Sequence, residues 1–469
     1  MVYQPTNGLT STGDIFHGGG AIVASWVENL TFQGDVADTD AGQTLTLISP
    51  SLLPPYERTF DDYEEAGTGY ALARWNHIFS ETSDMELKLY YDRTDIESAI
   101  IEEIRDTFDI DFQHRFAWGE RQEILWGLGY RFTTDDISNT YAASFDPSSR
   151  EDDLFSTFVQ DEITLIENRL ILTLGSKFER NDYTGLEIQP SARLIWFPQP
   201  RHAIWIATSR AVRTPARYNN DVRINFAPFS GSGGPVNFLS VLGDPDCESE
   251  ELLAYELGYR VKPTDTLSLD ISTFYNVYHD HINYEPGVPY LELTPSPPHV
   301  VIPLQFDNKM DGETYGVEAA ANWNVTDRWR LAAGYTYLQI VLEHGEAKGM
   351  PLLPALIENH PEFASDDPLA EAWEGSSPHH QFHLRSYVDL PGKIDFDTSV
   401  YFVDSLSYRD IPSYIRLDLR VGWHPTENLD VSLGLQNLLD DRHPEFGISE
   451  AVNATEVERS IYGKITWRF

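Results

Sequence analysis

A single cysteine, Cys247, stands among 469 residues, so the chain has no intrachain disulfide framework and no cysteine-built zinc site. Cys247 reads as a spectator. Basic residues are scarce: 33 Lys and Arg face 74 Asp and Glu, a formal net charge of −41, and no basic patch stands out to engage nucleic acid. No stretch approaches the roughly 20 consecutive apolar residues of a membrane helix, which excludes an α-helical membrane protein. A β-barrel stays open, because each of its strands needs only about 9 to 11 residues. The opening, Met1 to Ser25, has no basic start and only Ala21 to Ala24 as an apolar run, and so reads as lacking an export leader. A catalytic set is lacking as well. Ser, His and Asp are scattered without a nucleophile elbow, and Gly18-Gly19-Gly20 precedes a strand rather than a helix, so it reads as loop flexibility and not as a phosphate cradle.

Aromatics are plentiful, at 13% of the chain, and hydrophobic residues make up 41%, which excludes disorder. Their arrangement has a period of two. In Phe108 to Phe116 one face reads Phe, Ile, Phe, His, Phe and the other Asp, Asp, Gln, Arg. In Tyr414 to Trp423, Ile415, Leu417, Leu419, Val421 and Trp423 oppose Arg416, Asp418, Arg420 and Gly422. A period of two means strand, and a face this charged must be wet. About nineteen such segments are expected, near 19–27, 29–37, 68–79, 84–94, 104–117, 121–133, 152–165, 168–180, 187–198, 202–212, 250–262, 266–279, 312–324, 328–340, 378–390, 393–404, 412–424, 428–438 and 455–469.

A soluble sandwich also buries one face of each strand, so connection lengths separate the two readings. Tight turns rich in Pro, Gly, Asn and Asp fall at sites such as Gly119-Glu120, Pro391-Gly392 and Pro425-Thr426-Glu427. Long connectors, about 38–67, 134–151, 213–249, 280–311 and 341–377, alternate with them. Short turns on one rim and long loops on the other are the pattern of an outer-membrane barrel. Trp26, Trp75, Trp118, Trp196, Trp323, Trp423 and Trp467 end strands as interfacial aromatic girdles would. The last segment alternates to its end, with Ile461, Gly463, Ile465, Trp467 and Phe469 on one face. Gly463, Ile465, Trp467 and Phe469 resemble the terminal signal read by the barrel-assembly machinery of bacterial outer membranes.

Several segments resemble the barrel of TonB-dependent outer-membrane receptors. The most specific is Leu433 to Arg442, with Gln436, Asn437, Leu438 and Asp440 in the family's pattern before the C-terminal strand. Phe158 to Glu162, Ser209 to Pro215, Ala254 to Arg260, Phe274 to Asn276 and Thr314 to Glu318 also match, in order, over nearly the whole chain from about residue 19. The resemblance implies an all-β fold: an antiparallel transmembrane β-barrel of the outer-membrane type, about 19 to 20 visible strands of a 22-strand barrel, with no plug domain. Residues 1–18 read as a loop-like remnant and 19–469 as the barrel domain. Gly19 to Trp26 resembles about the fourth strand, so a leader, a TonB-binding segment, a plug and about three strands are expected to be missing, as in an N-terminally truncated chain. Uneven strand parity points the same way, since single-chain barrels have an even count.

The implied function is uptake of an iron–siderophore complex or similar scarce nutrient across the outer membrane of a Gram-negative bacterium. The resemblance implies no enzymatic activity and no cofactor. Its implied partners are outer-membrane lipid, the assembly machinery, a small ligand and, for full-length members, the TonB complex. A passive, plugless channel and a soluble glycan-binding β-protein are the alternatives. Acidic residues outnumber basic ones seven to one over 38–66 and eight to one over 341–374, which suits cationic ligands or a solvated rim. The loop after Val212 differs: Arg213, Arg217 and Arg223 lie amid Tyr218, Phe226 and Phe229, a set that suits an anionic, aromatic ligand or pairs with acidic loops. His379, His380 and His383 open a strand, but His380 and His383 are three apart and fall on opposite faces, which favours a structural or pore-lining role over a metal site.

Overall fold

Period-two segments separated by tight turns form hairpins, and hairpins in series form a meander. The computed structural model describes residues 16–25, 29–49, 56–230, 236–344, 373–445 and 456–468. In chain order its strands begin with β1 (Phe16–Ser25), β2 (Asn29–Ile48), β3 (Glu57–Ser80), β4 (Ser83–Glu97), β5 (Glu102–Trp118), β6 (Gln122–Ser138), β7 (Ala143–Phe145) and β8 (Ser149–Ile166). There follow β9 (Leu170–Asn181), β10 (Gly185–Trp196), β11 (His202–Arg213), the helical turn α1 (Arg217–Asp221), β12 (Val222–Ser230), β13 (Val236–Leu242), β14 (Glu250–Val261), β15 (Leu267–Pro286), β16 (Tyr290–Glu292) and β17 (His299–Thr326). The rest are β18 (Trp329–His344), β19 (His380–Leu390), β20 (Ile394–Val403), β21 (Tyr414–Thr426), β22 (Leu429–Gln436), β23 (Arg442–Pro444), β24 (Glu456–Glu458) and β25 (Ser460–Trp467).

Twenty-three strands share one sheet. Setting aside β7, β12, β13 and β16, the remaining nineteen form an antiparallel meander, each bonded to the wall strands before and after it. They are the segments expected from alternation. Among the described residues no pairing joins the two outermost strands, β1 and β25. The first strand begins at Phe16, inside the stretch expected to be loop, and its register continues that of its neighbour from Phe16 opposite Asp38.

Register sorts the faces. Residues directly opposite each other share a face, so one row reads Leu30, Trp75, Leu87, Phe112, Leu128 and the adjacent row Thr31, Arg74, Lys88, Asp111, Gly129. The first belongs to an outer apolar belt and the second to a polar interior. Trp118, Trp196, Trp323, Trp423 and Trp467 are exposed on the outer face near the short turns, while Tyr91, Tyr255, Tyr275 and Tyr315 are exposed toward the long-loop end. Two aromatic rings thus bound the belt. Trp26 lies outside the described residues.

The long connectors depart from the expectation of irregular loop. The β2–β3 hairpin stays paired out to Ile48 opposite Glu57, and β15 and β17 stay paired out to Pro286 opposite Leu304. Pairing persists because a ladder satisfies backbone groups that a folded loop would otherwise bury unbonded. Strand β17 also continues above the wall into a second layer, where its upper part pairs antiparallel with β16 and parallel with β13, which pairs in turn with β12, and β12 with β7. Connections at this end also include short ones, as between β9 and β10.

The buried core lies in this upper layer. Val222, Leu239, Val241, Cys247, Ile282, Ile302, Leu304 and Phe306 form one cluster, and Ile48 with Phe238 another, against Tyr56 and Tyr141. A wall one strand thick, facing lipid on one side and the lumen on the other, has no interior of its own. The loops therefore fold into a cap with its own core, held to the wall by β17.

Candidate extracellular ligand site

Four residues singled out by type, Arg213, Arg217, Tyr218 and Arg223, all lie in this cap. Arg213 ends β11 opposite Glu250, the first residue of β14, and donates through Nε and Nη2 to its carboxylate at 2.5 Å each. Glu250 also accepts from the Ile282 backbone N–H at 2.8 Å and lies 2.5 Å from His281 Nδ1, while the His281 ring meets Trp373 edge-on at 4.9 Å. Glu250 is 9% exposed and Arg213 is 64% exposed, so the carboxylate is an internal anchor and the guanidinium keeps an open edge.

Arg217, at the start of α1, is buried. It pairs with Asp135 from β6, lies 3.5 Å from Asp221 one turn on, donates to the Pro147 carbonyl, and sits over the Phe145 ring at 5.4 Å. Asp221 is shared with Arg150, 2.8 Å away. Arg223 forms a fork to Glu292 at 2.9 and 2.8 Å, and Glu292 also meets Nε2 of the fully buried His299 at 2.9 Å. The Arg223 guanidinium holds the Glu292 carboxyl below its ordinary range, against burial and with His299 assisting. Tyr218 is 39% exposed, with its ring edge-on to Phe306 at 5.3 Å. Phe226 packs against the cap core, and the side chain of Phe229 lies outside the described residues.

These partners carry no local signal. Asp135, Glu250 and Glu292 lie far along the chain from the arginines they meet, so residue type could propose the arginines but not their carboxylates. Cys247 is buried in the same core, and burial pushes its thiol up to about 11, with Asp244 adding to the shift. Such a thiol is unreactive.

The other sequence candidates lie elsewhere. His380 bonds the Tyr335 hydroxyl at 2.9 Å, His379 the Leu338 carbonyl at 3.0 Å, and His383 stands opposite Gly334 on the other face of β19, so the three do not converge. Asn437 is fully buried, with φ of 54° at the end of β22; its N–H donates to Asp418 at 3.0 Å and its side-chain amide to the Val457 carbonyl at 3.0 Å. Gln436 accepts from Ser460, Leu438 bonds Leu417 through the backbone, and Asp440 is exposed. Gly463, Ile465 and Trp467 share the outer face of β25, with Ile465 and Trp467 more than 70% exposed; Phe469 lies outside the described residues.

Comparison with known proteins agrees with this architecture. A family model described as "TonB dependent receptor-like, beta-barrel" matches residues 3–438. The "Iron-regulated outer membrane virulence protein" of Vibrio cholerae is 26% identical over 197 residues, 42% of this chain and 29% of that protein. The "Probable TonB-dependent siderophore receptor PiuA" of Acinetobacter baumannii is 24% identical over 260 residues, 51% of this chain and 33% of that protein. The chain thus matches about a third or less of the length of these curated relatives. Among solved structures, the FrpB iron transporter from Neisseria meningitidis has a TM-score of 0.70 at 12% identity, covering 97% of this chain and 72% of that one. The ferric-catecholate import receptor Fiu of Escherichia coli K12 has a TM-score of 0.68 at 11% identity, covering 97% and 75%.

Proposed function

The chain belongs to the TonB-dependent receptor β-barrel family, and from that membership we propose that it serves uptake of an iron–siderophore complex, its cap making the first contact with the ligand. It is an outer-membrane β-barrel of the Gram-negative type. The observation that carries the ligand reading is the cap itself: a folded layer with its own core, presenting the open edge of Arg213 and the half-exposed Tyr218 ring. An exposed guanidinium and an exposed aromatic ring on the same cap suit an anionic ligand that carries rings, such as an iron–catecholate complex. Arg217 and Arg223, tied to carboxylates, hold the loops that present these two groups. Energised release of the ligand would need the TonB complex, as the family's name implies. The terminal face of Gly463, Ile465, Trp467 and Phe469 would serve assembly into the membrane.

The test uses the 469-residue chain refolded in detergent micelles and titrated with ferric catecholate, ferric hydroxamate and ferric citrate complexes, following tryptophan quenching. Saturable binding of one class is expected, weakened about tenfold, 1.4 kcal/mol, in an Arg213→Ala, Tyr218→Ala double variant. Absence of binding by all three, together with steady conductance in a planar bilayer, would favour the passive channel. The glycan-binding reading has the exposed apolar belt against it, since so large an unbroken apolar surface needs lipid to cover it.

A further inference from the structure

An unbroken ladder would turn His281 away from the lumen. Tyr278 on β15 stands opposite Gly312 on β17, so the same register carried upward would set Asp280 opposite Met310 and send His281 to the outer face. The pair holds a bulge there instead. Asp280 takes φ of 55°, and His281 stands opposite Met310, which alternation along β17 places on the inner face with Glu318. One inserted residue thus brings the imidazole to Glu250, 2.5 Å from Nδ1, and into line with Arg213. Arg213 and Glu250 also point inward, in the phase of Trp205 and Gly258 on the same two strands. Guanidinium, carboxylate and imidazole therefore form a row along the lumen wall where it passes into the cap.

The row ends on Trp373, whose half-buried indole meets the His281 ring edge-on, 4.9 Å between centroids at 61°. The backbone that carries the indole is fixed from several sides. Glu374 Oε1 accepts the Leu342 N–H at 2.6 Å, the Gly375 carbonyl accepts the Tyr408 N–H at 3.0 Å, and the Ser376 hydroxyl donates to the Trp373 carbonyl at 2.8 Å. An indole held in this way loses little freedom when a second ring packs on its open side. At the other end of the row Arg213 keeps its exposed edge for negative charge. We infer that Trp373 is a ligand contact that reads aromatic rings, that His281 is the positioning residue which the bulge sets against it, and that with Arg213 the row selects anionic chelates bearing rings over anionic chelates without them. The inference rests on the uptake reading above and adds to it the residue that sets the ligand class.

The test is calorimetric titration of the full chain, folded in detergent micelles, with two probes: ferric dihydroxybenzoate, which carries rings, and ferric citrate, which does not. Wild type is expected to prefer the dihydroxybenzoate complex. Trp373→Leu weakens that complex about tenfold and ferric citrate less than about twofold, while Trp373→Phe recovers most of the loss. His281→Gln, which removes the ring against the indole, weakens the dihydroxybenzoate complex several-fold, and Arg213→Gln weakens both probes alike. Circular dichroism and urea midpoints verify that each variant is folded. A tryptophan that only holds the loop would lower both affinities together. A wild-type preference for citrate, equal losses for the two probes in Trp373→Leu, or an unchanged dihydroxybenzoate affinity there would each overturn the assignment and leave the uptake reading standing. No saturable binding of either probe by folded wild type would also overturn it, and refusal of a ferric hydroxamate as well would take the uptake reading with it.

Discussion

Arg217 and Asp135 are 6% and 5% exposed, so Asp135 would be a stranded charge without Arg217. Removing the guanidinium leaves Asp135 buried and uncompensated, while Asp221 keeps Arg150, a cost on the order of 3–5 kcal/mol. Arg217→Ala is therefore expected to raise hydrogen exchange across 139–148 and 217–224 and to leave the wall strands protected. Unchanged exchange in those loops would show that the pair does not hold the cap. Glu292 gives a pH signature. Arg223 lowers its folded pKa below the unfolded value of about 4.3, so the pairing contributes fully above that value and is lost as pH falls through the lower folded one. Proteolytic access to 286–300 should stay flat from neutral pH down to the ordinary glutamate range and rise below it. In Glu292→Gln the acid step should be absent, and its persistence would assign the step to another group. Asn437 shows what the family motif contributes: a small residue that tolerates positive φ while its amide ties β22 to the chain before β25. Asn437→Ala should cost about 2 kcal/mol from the lost hydrogen bond and the strained φ together, read from urea midpoints of the barrel folded in lipid.

Strands pack against each other in the lumen through a recurring device. Gly258 on β14 lies opposite Trp205 on β11, whose indole covers the place a Cβ would take, and Gly434 on β22 stands in the same relation to Tyr462 on β25. Glycine is required there by close approach. Gly258→Ala should overpack the pair at about 1–3 kcal/mol, and adding Trp205→Ala should abolish the coupling, leaving the double variant no less stable than Trp205→Ala alone. Additive losses in the urea titration would mean the ring does not cover the glycine. Elements of this kind explain what the sequence discloses. The nineteen wall strands are legible because lipid outside and water inside impose opposite preferences on successive residues, and Leu30, Trp75, Leu87, Phe112 and Leu128 fall into one row for that reason. Cap strands β7, β12, β13 and β16 are not legible. They are short, one pairing is parallel, and their core is assembled from residues as distant as Val222 and Phe306. The arginines of the site announce themselves by type, but Arg217 is buried only because Asp135 comes from a wall strand some eighty positions earlier, which no local pattern records.

At the scale of the molecule, charge and apolar surface are partitioned by depth and by face. Ion pairs such as Arg131 with Asp109 at 2.9 Å and Arg420 with Asp397 at 2.7 Å line the inner wall, whereas the outer wall between the Trp and Tyr rings is apolar. The same substitution must then have opposite consequences on the two sides of one strand thickness. Leu257 on β14 lies on the outer face, 53% exposed, level with Ile206 and Thr273 on the adjacent strands. Thr336 on β18 lies on the inner face, directly opposite Glu318. A lysine at 257 must enter hydrocarbon near the middle of the belt, at about 2–4 kcal/mol, whereas a lysine at 336 stays in a polar lumen beside a carboxylate and should change stability by less than about 1 kcal/mol. Urea titration of Leu257→Lys and Thr336→Lys folded into phospholipid vesicles compares the two directly. Equal losses, or a tolerated lysine at 257, would mean that lipid does not cover the outer face. The expected asymmetry follows from the alternation along each strand, carried around the wall by the register of its neighbours.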